Sequence, residues 1–216
     1  MAKQSRRGQK NRKFAAQLEA QHRPTGPERR VRPWVVAGVV AVLVVGLAAT
    51  AIAVAAGFGT VGNGSPPSGT ETFSETNHTH VTGPVTYDRV PPAGGAHNAV
   101  PLNCGIYDQP VPNENAVHSL EHGAVWITYQ PTLTADQLTA LQQLVSSSYV
   151  GTEKYLVLSP YAGIPSPIVA SAWGAQLAVS DPSDSRLLAF IHYYAGGGQG
   201  GELGGPCTGG VGTPVG

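Results

Sequence analysis

The chain has 216 residues, with 13 Lys or Arg against 13 Asp or Glu, for a formal net charge of zero. That balance hides two opposed parts: ten basic and two acidic residues precede residue 35, and three basic and eleven acidic follow residue 56, a split of +8 and −8. The acidic part offers no basic surface for nucleic acid, and nucleotide chemistry is excluded with it once the segment between the two parts is read as a membrane span.

The first 33 residues form a basic tail. Arg6, Arg7, Lys10, Arg12 and Lys13 cluster there. Basic residues beside a span orient it and attract anionic lipid headgroups at about 1 kcal/mol each, so the cluster calls for no nucleic-acid partner. Val35 to Ala56 is uncharged and rich in Val, Ala and Leu. At about 1.5 Å rise per residue it is long enough to cross a hydrocarbon core of roughly 30 Å, which predicts a transmembrane helix over residues 34–56. Ten basic residues before the run and three after it put the N-terminus in the cytoplasm and the rest of the chain outside. The alternative is a cleaved signal peptide, with small-residue sites at Ala51-Ile52-Ala53 or Ala53-Val54-Ala55. Both readings leave the C-terminal part extracytoplasmic, in contact with the lipid bilayer in one case and released in the other.

Residues 57–77 are rich in Gly, Ser, Thr and Pro and are expected to be a flexible linker. Apolar periodicity then returns over residues 78–207, an extracytoplasmic α+β domain of ordinary size. The segment from His80 to Pro112 carries too many breakers for regular structure and is expected to wrap a sheet as an ordered loop. A short helix fits around His118–His122, with Asn113 as its cap and Gly123 as its stop. Ala124–Tyr129 is β-branched and aromatic, the composition of a strand. Thr134 and Gln137 form a capping-box pair, and Leu138, Leu141, Leu144 and Val145 repeat at helical spacing behind them.

Two further strands are expected at Tyr155–Leu158 and Ile168–Trp173, separated by a Pro/Gly-rich connection. Trp126 and Trp173, each on a strand, read as core. Asp181, followed by Pro182, is placed to cap a final helix whose apolar stripe is Leu187, Leu188, Ile191 and Tyr194. The order strand, helix, strand, strand, helix points to a small ferredoxin-like (βαββα) domain. The glycine-rich end is pinned through Cys207, leaving residues 208–216 as a disordered tail. Cys104 and Cys207 are the two cysteines and both lie outside, where thiols oxidise, so they are expected to form a disulfide. The rival role for Cys104, a blue-copper ligand, lacks the axial methionine, since Met1 is the single Met.

Five of the seven histidines, His78, His80, His97, His118 and His122, fall within 45 residues. Neutral imidazole is the commonest metal ligand, and copper, zinc and iron are the cations it selects. His118-Ser119-Leu120-Glu121-His122 is the sharpest element, because residues four apart share a helix face. It also matches the H-x-x-E-H pattern of inverzincin metallopeptidases, which needs a distant third ligand. Glu202 is a candidate for that ligand, in a glycine-rich setting that argues against it. The structural reading gives His118, Glu121 and His122 buried hydrogen bonds. His78-Thr79-His80 fits a solvated loop or an additional ligand pair. No G-x-S-x-G elbow, S-x-x-K arrangement or phosphate-binding glycine loop is present.

At Val90-Pro91-Pro92 with Gly95-Ala96-His97, at Cys104-Gly105-Ile106-Tyr107-Asp108, and at Val117 through Val125, the chain resembles the domain-of-unknown-function family numbered 3105, found mostly in actinobacterial single-span proteins. The resemblance covers roughly residues 78–207 and extends to Pro160-Tyr161, Ala172-Trp173-Gly174 and Glu202. The chain departs from it at Gly94-Gly95-Ala96-His97, where the family commonly has Ser-Gly-Pro-His, and at Gly201, where Pro often precedes the Glu. The resemblance implies a shared topology and a shared His/Glu constellation, and it implies no activity. The residues themselves point to a membrane-anchored extracytoplasmic protein that binds copper or zinc through His97, His118, Glu121 and His122, with His78 and His80 as possible additional ligands. A non-enzymatic envelope interaction module and an H-x-x-E-H metallohydrolase are the alternatives.

Overall fold

Three consecutive strands whose residues are all buried organise the domain: β5 (Val125–Tyr129), β6 (Leu156–Pro160) and β7 (Ile168–Ala172). They belong to a computed structural model that describes residues 64–216. The basic tail, the span expected at 34–56 and the start of the linker lie outside the described residues. Among the described residues, no helix is long and apolar enough to cross a membrane.

Four short strands precede this core: β1 (Glu71–Thr72), β2 (His80–Val81), β3 (His97–Asn98) and β4 (Gly105–Ile106). Helix α1 (Asn113–Glu121) leads into β5, α2 (Ala135–Ser147) joins β5 to β6, and the hairpin of β7 with β8 (Ala175–Val179) leads to α3 (Ser185–Tyr194). The sheet runs β1-β8-β7-β5-β6-β4, and β2 pairs with β3 apart from it. The fold is α+β, as expected, but the ferredoxin-like arrangement is not what forms. A split βαβ unit needs a third strand between its two parallel strands, whereas β5 and β6 are direct parallel neighbours, Ile127 opposite Leu158. The connection from β6 instead carries β7 to the other side of β5, where it pairs antiparallel.

Alternation along β5 divides the domain into layers. Val125, Ile127 and Tyr129 join Leu141 and Val145 of α2 and Leu187, Phe190, Ile191 and Tyr194 of α3. Each fully buried side chain of this kind stabilises by about 1.5–3 kcal/mol, and the spacing 187, 190, 191, 194 delivers four of them from one helical stripe. Trp126 points to the opposite face, onto Val117 and Leu120 of α1, Trp173, and the bonded pair Cys104 and Cys207. Its indole N–H donates to Ser159 Oγ at 2.9 Å, so no polar atom is stranded. Helix α1 is therefore held on the face that α2 and α3 do not cover.

Several local expectations change. β8 joins the sheet although Ala175-Gln176-Leu177-Ala178-Val179 has few strand-favouring side chains; Trp173 and Gly174 make a two-residue turn, with Gly174 at φ +69. Trp173 is accordingly buried in a turn and not on a strand. Asp184, not Asp181, caps α3: it accepts from Arg186 N at 2.9 Å and grips the same guanidinium, while Asp181 accepts from Ser183 in the turn before it. Pro112 stands at the N-cap of α1 without a side-chain bond, and Asn113 is the first helical residue. Gly123 does end the helix, with φ +101. The linker is not free throughout, because Glu71 and Thr72 pair with β8. Nor is the last segment disordered: Val211 N donates to Pro101 O, Ile106 N to Gly216 O and Val215 N to Ile106 O, which lays residues 211–216 along 101–106.

Candidate functional site

Helix α1 presents its last turn to two loops. His118 and His122, four residues apart, share a face, and their Nε2 atoms lie 2.9 Å apart. Ser119, on the next face, fixes the helix by donating from Oγ to Leu102 O at 2.7 Å. The parallel pairing of β2 with β3 sets His80 opposite His97. The His80 ring stacks on His118, with centroids 5.0 Å apart, and the His97 ring meets His118 edge-on at the same separation. His97, Glu121, His118 and His122 are all buried.

Each buried imidazole is oriented from behind. Nδ1 of His97 contacts Gly95 O at 2.7 Å, Nδ1 of His118 contacts Asn98 O at 2.6 Å, and Nδ1 of His122 contacts Pro206 O at 2.7 Å. A carbonyl only accepts, so each Nδ1 carries the hydrogen, and in each neutral ring Nε2 presents a lone pair. All three Nε2 atoms turn inward. A backbone carbonyl behind a histidine, fixing its tautomer, is the support that metal-ligating imidazoles ordinarily have.

The inward atoms are short of hydrogen. His118 Nε2 and His122 Nε2 meet as two acceptors. His97 Nε2 lies 2.9 Å from Glu121 Oε2, and both atoms are buried without a hydrogen-bond donor. Such contacts need a cation or an added proton between them, because an unpartnered buried polar atom is costly and a buried carboxylate more so. Among the described residues no Lys or Arg pairs with Glu121; its partners are His78 on Oε1 and His80 and His97 on Oε2. His118 is held below the usual histidine range by burial first, with the neighbouring imidazoles adding to it against the Asn98 carbonyl, so this ring is neutral near pH 7.

The residues expected to form the site fall into two overlapping sets. His80, His97, His118 and Glu121 bring one donor atom each within 4.8 Å of one another, and so do His118, His122 and Glu202. His78 is in neither. It stacks on Trp173, with centroids 4.6 Å apart and planes 12° from parallel, and its Nδ1 contacts Glu121 Oε1, so it positions the carboxylate. Both His78 and His80 are thus part of the cluster and not of a free loop. Glu121 turns toward His78 and His97, and Glu202 approaches the H-x-x-E-H histidines from the other side, its Oε2 3.4 Å from His122 Nε2 and 4.0 Å from His118 Nε2. His192 is exposed on α3, away from the cluster.

Glu202 joins the site from within a glycine-rich stretch. The glycines around it allow the loop to lie on α1. A Cβ at Gly200 would fall 2.0 Å from Glu121 O, one at Gly201 would fall 2.9 Å from Glu121 Oε1, and one at Gly205 would fall 2.5 Å from His122 Cδ2. Cys207 then fastens the loop to Cys104, with Cα atoms 5.3 Å apart. The signal was present in the sequence as a glycine-rich stretch ended by a bonded cysteine.

A family model described as "Protein of unknown function (DUF3105)" matches residues 78–209, and the chain belongs to that family. No curated protein and no solved structure matches the chain. The matched residues include all five clustered histidines, Glu121, Glu202 and both cysteines.

Proposed function

We propose that this chain is a membrane-anchored, extracytoplasmic protein that binds a transition metal, copper(II) or zinc(II), through His97, His118 and His122, with Glu121 as ligand or orienter. One observation carries the reading: three buried imidazoles donate from Nδ1 to backbone carbonyls and turn their Nε2 lone pairs onto one another and onto Glu121. Softer cations with a taste for imidazole fit such donors better than calcium or magnesium, which prefer oxygen. The anchor rests on the apolar run at 34–56 and on the ten basic residues before it, which also meet anionic headgroups. An extracytoplasmic setting agrees with the Cys104–Cys207 bond.

The test is metal analysis of the full chain purified in detergent after growth with zinc or copper. Stoichiometric metal is expected in the wild type. It should be lost in His118→Ala and His97→Ala with the circular dichroism spectrum retained. A wild type that purifies without metal under both conditions defeats the proposal. Protease treatment of intact cells should remove the C-terminal domain, and a protected domain defeats the placement.

A further inference from the structure

The two donor sets share a single atom. His118 Nε2 belongs to the inner set with His80, His97 and Glu121 and to the outer set with His122 and Glu202. Its other nitrogen is engaged, donating to Asn98 O at 2.6 Å. A ring with one lone pair bonds one cation at a time, so both positions cannot be filled through His118 together.

The positions differ in access and charge. The inner one holds the two buried acceptors without donors, His97 Nε2 and Glu121 Oε2. In the outer one, the Glu202 side chain is 54% exposed and carries the negative charge that attracts a hydrated cation. His80 also reaches solvent, but an imidazole has no negative charge with which to attract a cation.

We propose that the cluster is a two-position metal relay: a single cation is captured by Glu202, His122 and His118 and passes to Glu121, His97 and His80, with His118 bound throughout. The cation leaves by the same way, so Glu202 sets the rate of exchange with metal donors and acceptors outside. This inference rests on the metal-binding reading above.

The test uses the full chain in detergent, loaded with zinc(II) or copper(II), whichever it retains, and stripped by excess EDTA in a stopped-flow instrument. Saturation at one metal per chain is expected. Glu202→Gln, an exposed and isosteric change, should slow extraction about tenfold, with a much smaller change in Kd, since loading slows with release. Two metals per chain would overturn the relay. So would release that is faster in Glu202→Gln with Kd weakened in proportion, the behaviour of an ordinary ligand in a single site. So would extraction at the wild-type rate in Glu202→Gln, or a slowing seen in His80→Ala in its place. In each of these outcomes metal still binds, which separates failure of the relay from failure of metal binding itself; a wild type without metal ends both.

Discussion

His118 Nε2 and His122 Nε2 sit 2.9 Å apart while the other nitrogen of each ring is spent on a backbone carbonyl. Two lone pairs face each other across that distance. The contact is stable only with a positive charge to share, and His118, held below the usual histidine range by burial, is a poor place to keep a proton.

Metal retention should therefore depend on pH with a defined sign. His118 starts from an ordinary value of 6.5 and is lowered in the fold, so below 6.5 the unfolded chain binds a proton that the folded chain refuses. By linkage, stability of the metal-free domain is full above 6.5 and declines as the pH falls, and protons compete with the metal over the same range. Equilibrium dialysis between pH 8 and pH 5 checks this, and an affinity that stays flat through that range would count against His118 as a ligand.

Gly205→Ala should act on the metal without touching a ligand. Its Cβ would lie 2.5–2.7 Å from Cδ2, Cγ and Nε2 of His122, which forces the ring or the loop to move. Displacing His122 from the capture position should slow metal extraction about tenfold, and the overpacking should cost about 1–3 kcal/mol in stability. Stopped-flow extraction by EDTA and urea unfolding measure the two effects separately; extraction at the wild-type rate would mean that His122 takes no part in capture.

Cys207→Ser should destabilise the domain by about 2–5 kcal/mol in urea, because the bond closes 103 residues of chain. It should also slow metal extraction under native conditions, since Pro206, the residue before the cysteine, holds His122 through its carbonyl. Extraction at the wild-type rate in the folded variant would show that the loop is held by its other contacts alone.

At alkaline pH the tyrosines should titrate late. Burial raises Tyr107 to about 12, and Tyr87, Tyr129, Tyr149, Tyr155 and Tyr194 are raised as well, each by burial first. Stability from Tyr107, whose hydroxyl donates to Asn103 O at 2.6 Å, is fully present below pH 10 and is lost as the pH rises toward 12. Ultraviolet titration should show most of the phenolate absorbance appearing above pH 10, together with unfolding; a single step near pH 10 would contradict the burial.

What the sequence revealed was local, and what it concealed was set by tertiary contacts. Helix α2 was readable because its cap is chemical: Thr134 Oγ1 accepts from Gln137 N, and Gln137 Oε1 accepts from Thr134 N. His118 and His122 were readable because four residues on a helix is a fixed displacement. The Cys104–Cys207 pair followed from there being two cysteines in the chain. The partnership of Glu202 with His122 was not readable, since it depends on glycines lying against α1 over 80 residues of sequence separation. The pairing of His80 with His97 comes from a two-residue ladder, too short for any periodicity to announce. The ferredoxin-like expectation failed for a related reason: strand order along a chain does not say on which side of β5 the chain returns, and here β7 returned opposite β6.

The disulfide, closing 103 residues, has a consequence for when the site comes into being. Its donors run from His80 to Glu202, so nothing shorter than nearly the whole domain assembles them, and contacts of such long sequence separation form late in folding. A chain still being synthesised, or one whose thiols have not yet met an oxidant, carries the histidines without the arrangement. Assembly of the donors then marks maturity: they come together once the chain has closed its ring and settled its last loop.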